Sequence, residues 1–205
     1  SLAGLFTAPA IWLVMIFLAA VPDGLTELGQ FALGNQVRSA LLFGTGVIAN
    51  VSLPAIASAL IRGERGQADK IFMRSLVMVL LLATVLALFS WLLLLYLIPA
   101  YFPEYSGSIR PMAWLLLSAV VASVTAMYMR KATAEMRPGT LVLANAAFAM
   151  GLIGPAWYLL SLGQGATGLA ISFLISSTLQ LGFFLALNRY YLPDARRGDI
   201  RVENV

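Results

Sequence analysis

An arginine, two asparagines and several small polar residues sit inside an otherwise apolar run between Gln30 and Leu60. On a helical wheel at about 100° per residue, Asn35, Arg38, Ser39, Gly46 and Asn50 fall within roughly a third of the circumference. Leu41, Ile48 and Val51 point elsewhere. A helix with one polar stripe in a membrane turns that stripe toward a bundle interior or a watery cavity, because lipid cannot solvate it. An arginine at that depth costs about 2.5–3.5 kcal/mol on insertion scales, so it needs a partner or a purpose. Two readings stand for Arg38: a cation that meets an anionic ligand, or a packing residue that caps a neighbouring helix or snorkels to the interface. Asn35, Ser39 and Asn50 divide in the same way between ligand contacts and interhelical hydrogen bonds.

Other chemistry is thinly supplied. The chain has no cysteine and no histidine, which removes thiolates, disulfides and the commonest general base and metal ligand. No acidic residue lies in the middle of an apolar segment, and Asp23, Glu27 and Glu104 are isolated rather than paired for acid–base work. The expectation is no catalytic residue, no metal, no cofactor and no enzyme.

The elements that must position these residues follow from composition. Hydrophobic residues make up 60% and charged residues 11% of the 205 residues, and the mean hydropathy is +0.89. Soluble domains carry about 25% charged residues. The sequence therefore reads as an all-α, polytopic transmembrane helix bundle. Six apolar segments, each near the roughly 20 residues a bilayer needs, cover 2–21, 28–61, 68–99, 108–129, 140–162 and 169–188. Residues 1–188 form one lobe and 189–205 a tail. The chain opens on Ser1, already within apolar sequence and with no charged leader. It is expected to be a piece of something longer and not to start with a signal peptide.

The net charge of +4 suggests nucleic acid only until the cations are located. Of the 13 lysines and arginines, all but Arg38 and Arg110 fall in the connectors after the second and fourth segments, at the start of the third, or in the tail. That asymmetry places both termini on the cytoplasmic side. Trp91, Tyr96 and Tyr101 suit an aromatic belt, Arg110 an interface anchor, and Ala147 with Gly151 a close helix–helix approach.

Four stretches also carry a resemblance. Gly29 through Leu42, ending in Leu53-Pro54-Ala55-Ile56-Ala57, resembles the seventh-to-eighth helix region of bacterial polysaccharide flippases of the multidrug/oligosaccharidyl-lipid/polysaccharide exporter superfamily. Arg62-Gly63-Glu64-Arg65-Gly66 and Pro103-Glu104-Tyr105-Ser106-Gly107 continue it. Gly163-Gln164-Gly165-Ala166-Thr167-Gly168 is similar to the glycine-rich turn before a late helix of that family. The resemblance covers nearly the whole chain as the C-terminal lobe of a two-lobed alternating-access transporter with parallel repeats. It implies translocation of an undecaprenyl-pyrophosphate-linked oligosaccharide across the bacterial inner membrane, for O-antigen-type lipopolysaccharide and other surface polysaccharides. The implied partners are the lipid-linked oligosaccharide, membrane lipids, a missing N-terminal lobe and the polysaccharide polymerase machinery; nucleic acid is not among them. In that reading Arg38, Asn35, Ser39 and Asn50 bind substrate, with further cations coming from the other lobe. An ion-coupled multidrug exporter of the same superfamily and a non-transporting membrane scaffold are the alternatives.

Overall fold

The computed structural model describes residues 4–136 and 138–198, with side chains from 6 to 187 apart from residue 137. Six α-helices follow one another: α1 (Gly4–Ala19), α2 (Gly24–Ile61), α3 (Arg65–Tyr101), α4 (Ile109–Ala134), α5 (Pro138–Ser161) and α6 (Gly165–Gly198). One turn of 3₁₀-helix, Pro103–Ser108, joins α3 to α4. There is no strand among the described residues. Five of the helical segments are long and apolar enough to cross a membrane, and α1 is a shorter apolar helix. The chain is an all-α, multi-pass transmembrane bundle.

Helix ends differ from the sequence expectation where charged residues prove helical. α2 begins at Gly24 rather than 28 and α3 at Arg65 rather than 68. α4 runs on to Ala134, so Arg130 and Lys131 are on a helix and not in a connector. α6 starts at Gly165 and continues to Gly198, beyond the expected end at 188. Arg137, the side chains of Arg189, Arg196 and Arg197, and the whole of Arg201 lie outside the described residues. At 16 residues, α1 spans about 24 Å at 1.5 Å per residue, short of a bilayer core of about 30 Å.

Two tight turns are built alike. After α2, Gly63 takes a positive φ of 76°, and the next amide, that of Glu64, reaches back to the Ala59 carbonyl at 2.9 Å. After α5, Gly163 has φ 74° and Gln164 bonds back to Leu159 at 3.1 Å. Both are the left-handed glycine cap that satisfies orphan carbonyls and stops a helix.

Contacts across the ends establish direction. Glu27 at the start of α2 bonds the start of α6, whereas Lys131 at the end of α4 bonds Asp69 at the start of α3 at 2.8 Å. The bundle thus has a basic end, holding the α2–α3 and α4–α5 turns, and an opposite end. α2, α4 and α6 run parallel from the opposite end to the basic one. α4 lies between α2 and α6 and packs heavily on both, α1 rests mainly on α5, and α3 flanks α2 and α4.

The core is layered along that axis. Phe31, Leu115, Phe148, Leu152, Leu169 and Phe173 bring α2, α4, α5 and α6 together with Val14 and Leu18 of α1. Ala49, Ile56, Phe72, Val79 and Met127 join α2, α3 and α4 nearer the basic end. In lipid, such helices associate by close packing rather than by escape from water. The small residue expected to allow this at Gly151 does so: a Cβ there would meet the Ser176 Cα at 3.3 Å, leaving α5 and α6 no room for a larger side chain. Tyr96 and Tyr101 are exposed, and Trp91 is half-buried against the cluster of Leu41, Ala83 and Met112.

Candidate functional site

Arg38 projects into the junction of the three parallel helices. It keeps only 9% of its surface exposed. Its Nε donates to Ser118 Oγ of α4 at 3.1 Å, and the Ser118 hydroxyl donates in turn to the Leu115 carbonyl at 2.7 Å. The guanidinium lies 5.0 Å from the centre of the Phe173 ring of α6, a cation–π distance. Phe173 is held in place by Phe31 at 5.6 Å and Phe148 at 6.4 Å. Nothing acidic answers the charge: no carboxylate among the described residues pairs with Arg38. Among the described residues the Nε bond is the one hydrogen bond seen for Arg38, and the two terminal nitrogens have no described partner.

This arrangement is unusual energetically. A charge taken out of water costs several kcal/mol unless a counter-charge and hydrogen bonds repay it. Here one neutral hydroxyl and one ring face share the task. What remains is a planar fork of free N–H donors, shaped for bidentate binding of a phosphate or carboxylate.

The four candidate binding residues, Arg38, Asn35, Ser39 and Asn50, do not all meet. Arg38 and Asn35 turn inward, and the Asn35 Oδ1 is buried without a partner. Ser39 and Asn50 are exposed on the flank of α2, where the Ser39 hydroxyl bonds its own helix at the Asn35 carbonyl, 2.8 Å away. The buried line of α2 instead runs through Phe31, Arg38, Thr45, Ser52 and Ala59. These residues are seven apart, the repeat of helices packed at a shallow left-handed crossing. Each polar member finds a hydroxyl on a neighbour: Arg38 on Ser118, Thr45 on Ser123 of α4 at 2.9 Å, and Ser52 on Ser75 of α3 at 2.8 Å. Counting sevens from Arg38 identifies Thr45 and Ser52 from sequence; Ser118 and Ser123 stand out as serines of an apolar segment available for interhelical bonds, while Phe173 carries no signal.

A second polar group lies further toward the basic end. Gln180 Nε2 of α6 donates to Asn145 Oδ1 of α5 at 3.3 Å, and Asn145 Nδ2 bonds the Leu141 carbonyl at 2.7 Å. Ser177, one turn from Phe173 on α6, has a buried hydroxyl without a partner. Two buried polar atoms thus lack a partner, Asn35 Oδ1 one turn before Arg38 on α2 and Ser177 Oγ one turn after Phe173 on α6. No group of three or more metal-binding side chains occurs among the described residues.

Compared with known proteins, the chain matches no family model, no curated protein and no solved structure. The site's reading therefore rests on its own geometry.

Proposed function

We propose that this chain is the C-terminal lobe of a transporter that moves an undecaprenyl-pyrophosphate-linked oligosaccharide across the bacterial inner membrane. The observation that supports this most is Arg38: a buried cation within a membrane helix, without an acidic partner and with free donors. A pyrophosphate headgroup crossing hydrocarbon needs that kind of fork. The resemblance of the Gly29–Leu42 stretch to polysaccharide flippases points the same way. Asn35 adds a hydrogen-bonding group one turn away. Ser39 and Asn50, exposed on the flank of α2, would face the glycan or the other lobe, because neither suits lipid.

The test is complementation in cells lacking their own flippase, using the full-length parent gene and measuring surface polysaccharide beside membrane abundance. Arg38→Ala should reduce display by roughly tenfold to a hundredfold at unchanged abundance, the range set by a charged hydrogen bond of about 1.5–3 kcal/mol. Arg38→Lys should recover only part, since lysine keeps the charge and loses the fork. Normal display in Arg38→Ala cells would remove the residue from the transport path. If the unmutated parent restores nothing, the substrate class is wrong, and drug efflux becomes the next assay.

A further inference from the structure

Three contacts tie α2 to α6 in the half of the bundle away from the basic end. At the end opposite the basic connectors, Glu27 Oε2 accepts the backbone N–H of Ala166 at 2.7 Å. Below it, Phe31 packs on Phe173, and Arg38 caps the same ring. Further down, the polar residues of α2 turn to other helices: Thr45 to α4 and Ser52 to α3. The Glu27 carboxylate occupies the space that a side chain at position 165 would need. Gly165 has φ 49°, and a Cβ there would lie 2.5 Å from Glu27 Oε2. A second loop is fitted in the same way, because a Cβ on Gly107 would meet the Gln30 amide at 2.7 Å. The first turns of α2 thus lie against the 3₁₀ turn before α4 and the start of α6, and a Cβ at either glycine would displace the end of the Gln30 or Glu27 side chain.

α2 also has a soft point. Gly44 and Gly46 follow Arg38, the last residue of α2 seen against α6, on a stretch where α2 continues along α3 and α4. A Cβ on Gly46 would meet nothing within 4 Å, and one on Gly44 only the Leu86 Cδ1 at 3.6 Å, so packing does not demand glycine at either position. Glycine inside a helix weakens it by about 0.5–1 kcal/mol relative to alanine, and such positions are where helices bend.

We propose that Glu27 and the start of α6 form a clasp, with Gly44 and Gly46 as its hinge, that holds the non-basic end of the bundle closed over Arg38. With the clasp released, α2 swings about the hinge, Phe31 and Arg38 separate from Phe173, and the guanidinium opens toward that end. The mechanism is mechanical and stands whether or not the transported molecule is a lipid-linked glycan.

This chain has no cysteine, so once any cysteine elsewhere in the parent is replaced, two introduced ones can be labelled alone. Spin labels go on Leu25→Cys and Leu162→Cys, at positions 78% and 57% exposed, in the parent protein reconstituted into lipid vesicles. Double electron–electron resonance then reads the distance between the start of α2 and the turn before α6. In the otherwise unaltered protein a short distance should dominate. Glu27→Ala should at least double a population longer by about one helical turn, ~5 Å. Glu27→Gln, whose amide oxygen can still accept the N–H, should fall between. Gly165→Ala should mimic Glu27→Ala while leaving the carboxylate intact, and it serves alone if Glu27→Ala is not recovered folded. Adding Gly44→Ala with Gly46→Ala should suppress the long population in both. Unchanged distances in Glu27→Ala and Gly165→Ala would overturn the clasp, and an opening insensitive to the alanine pair would overturn the hinge.

Discussion

A guanidinium that is nine-tenths buried and bonded to one serine is either a fastening or a tool, and a single substitution separates the two. Methionine approximates the length of the arginine stem and brings no charge. Replacing buried ionic groups by apolar residues of similar volume is often neutral or stabilising by about 1–4 kcal/mol. Arg38→Met should therefore leave the thermal midpoint of the detergent-solubilised protein unchanged or raised while abolishing glycan display. A midpoint lowered by many degrees would make Arg38 a fastening of α2 to α4. Ser118→Ala is the complement. It strips the only hydrogen bond from a buried charge, a loss of about 1–3 kcal/mol, and should lower the midpoint in the Arg38 protein but not in the Arg38→Met background. That reversal is the signature of a pair, read by the double-mutant comparison. Arg38 was legible in the sequence because a cation in an apolar run is conspicuous. Its surroundings were legible only in part: Ser118 is recognisable as a serine that can bond across helices, but nothing in the sequence pairs it with a residue 80 positions away, and Phe173 looks like any other apolar residue on α6.

At the scale of the helix, the wheel located the polar side of α2 but displaced its centre. Asn35, Gly46 and Asn50 drew the stripe to one flank, whereas packing is centred on the line through Arg38, Thr45 and Ser52. The reason is physical: glycine and asparagine register as polar by type, but only neighbouring helices decide which side is covered. Thr45 and Ser52 were passed over because a threonine or serine can satisfy itself on its own helix, as Thr45 does in bonding the Leu41 carbonyl at 3.1 Å. Their cross-helix bonds are correspondingly weak, averaging about 0.6 kcal/mol each in membranes with an upper value near 1.7. Thr45→Val should destabilise the protein by that amount in reversible unfolding from mixed micelles, and Thr45→Val with Ser123→Ala should cost no more than the larger single change. Additive losses would mean that the two hydroxyls do not act together. Weak, exchangeable bonds of this kind suit a helix that has to move against its neighbours, in line with the clasp and hinge inferred for α2.

For the whole molecule, the class of fold was fixed by composition, because a chain with so few charges can bury its apolar surface only in lipid or in a very large core. Helix number and order were legible too, while the ends were misplaced wherever a helix carries its charges beyond the apolar segment. Arg130 and Lys131 show why. Hydropathy marks them as a break, yet Lys131 is bound to Asp69 of α3 and its ammonium lies 4.8 Å from the centre of the Phe72 ring, which lets α4 continue as helix beyond the apolar stretch. Orientation in the membrane follows from the same charges. Arg62, Arg65, Lys70, Arg74, Arg130 and Lys131 all belong to the end where α2 meets α3 and α4 ends, and the opposite end holds Arg110 with Asp23, Glu27 and Glu104. By the positive-inside rule the basic end should be cytoplasmic. Single cysteines placed in the cysteine-free chain at the exposed positions Gly66 and Gln164 test this in whole cells. A membrane-impermeant maleimide should label the Gln164→Cys protein directly and the Gly66→Cys protein only after permeabilisation. The reverse pattern would turn the bundle over and put the clasp of Glu27 on the cytoplasmic side.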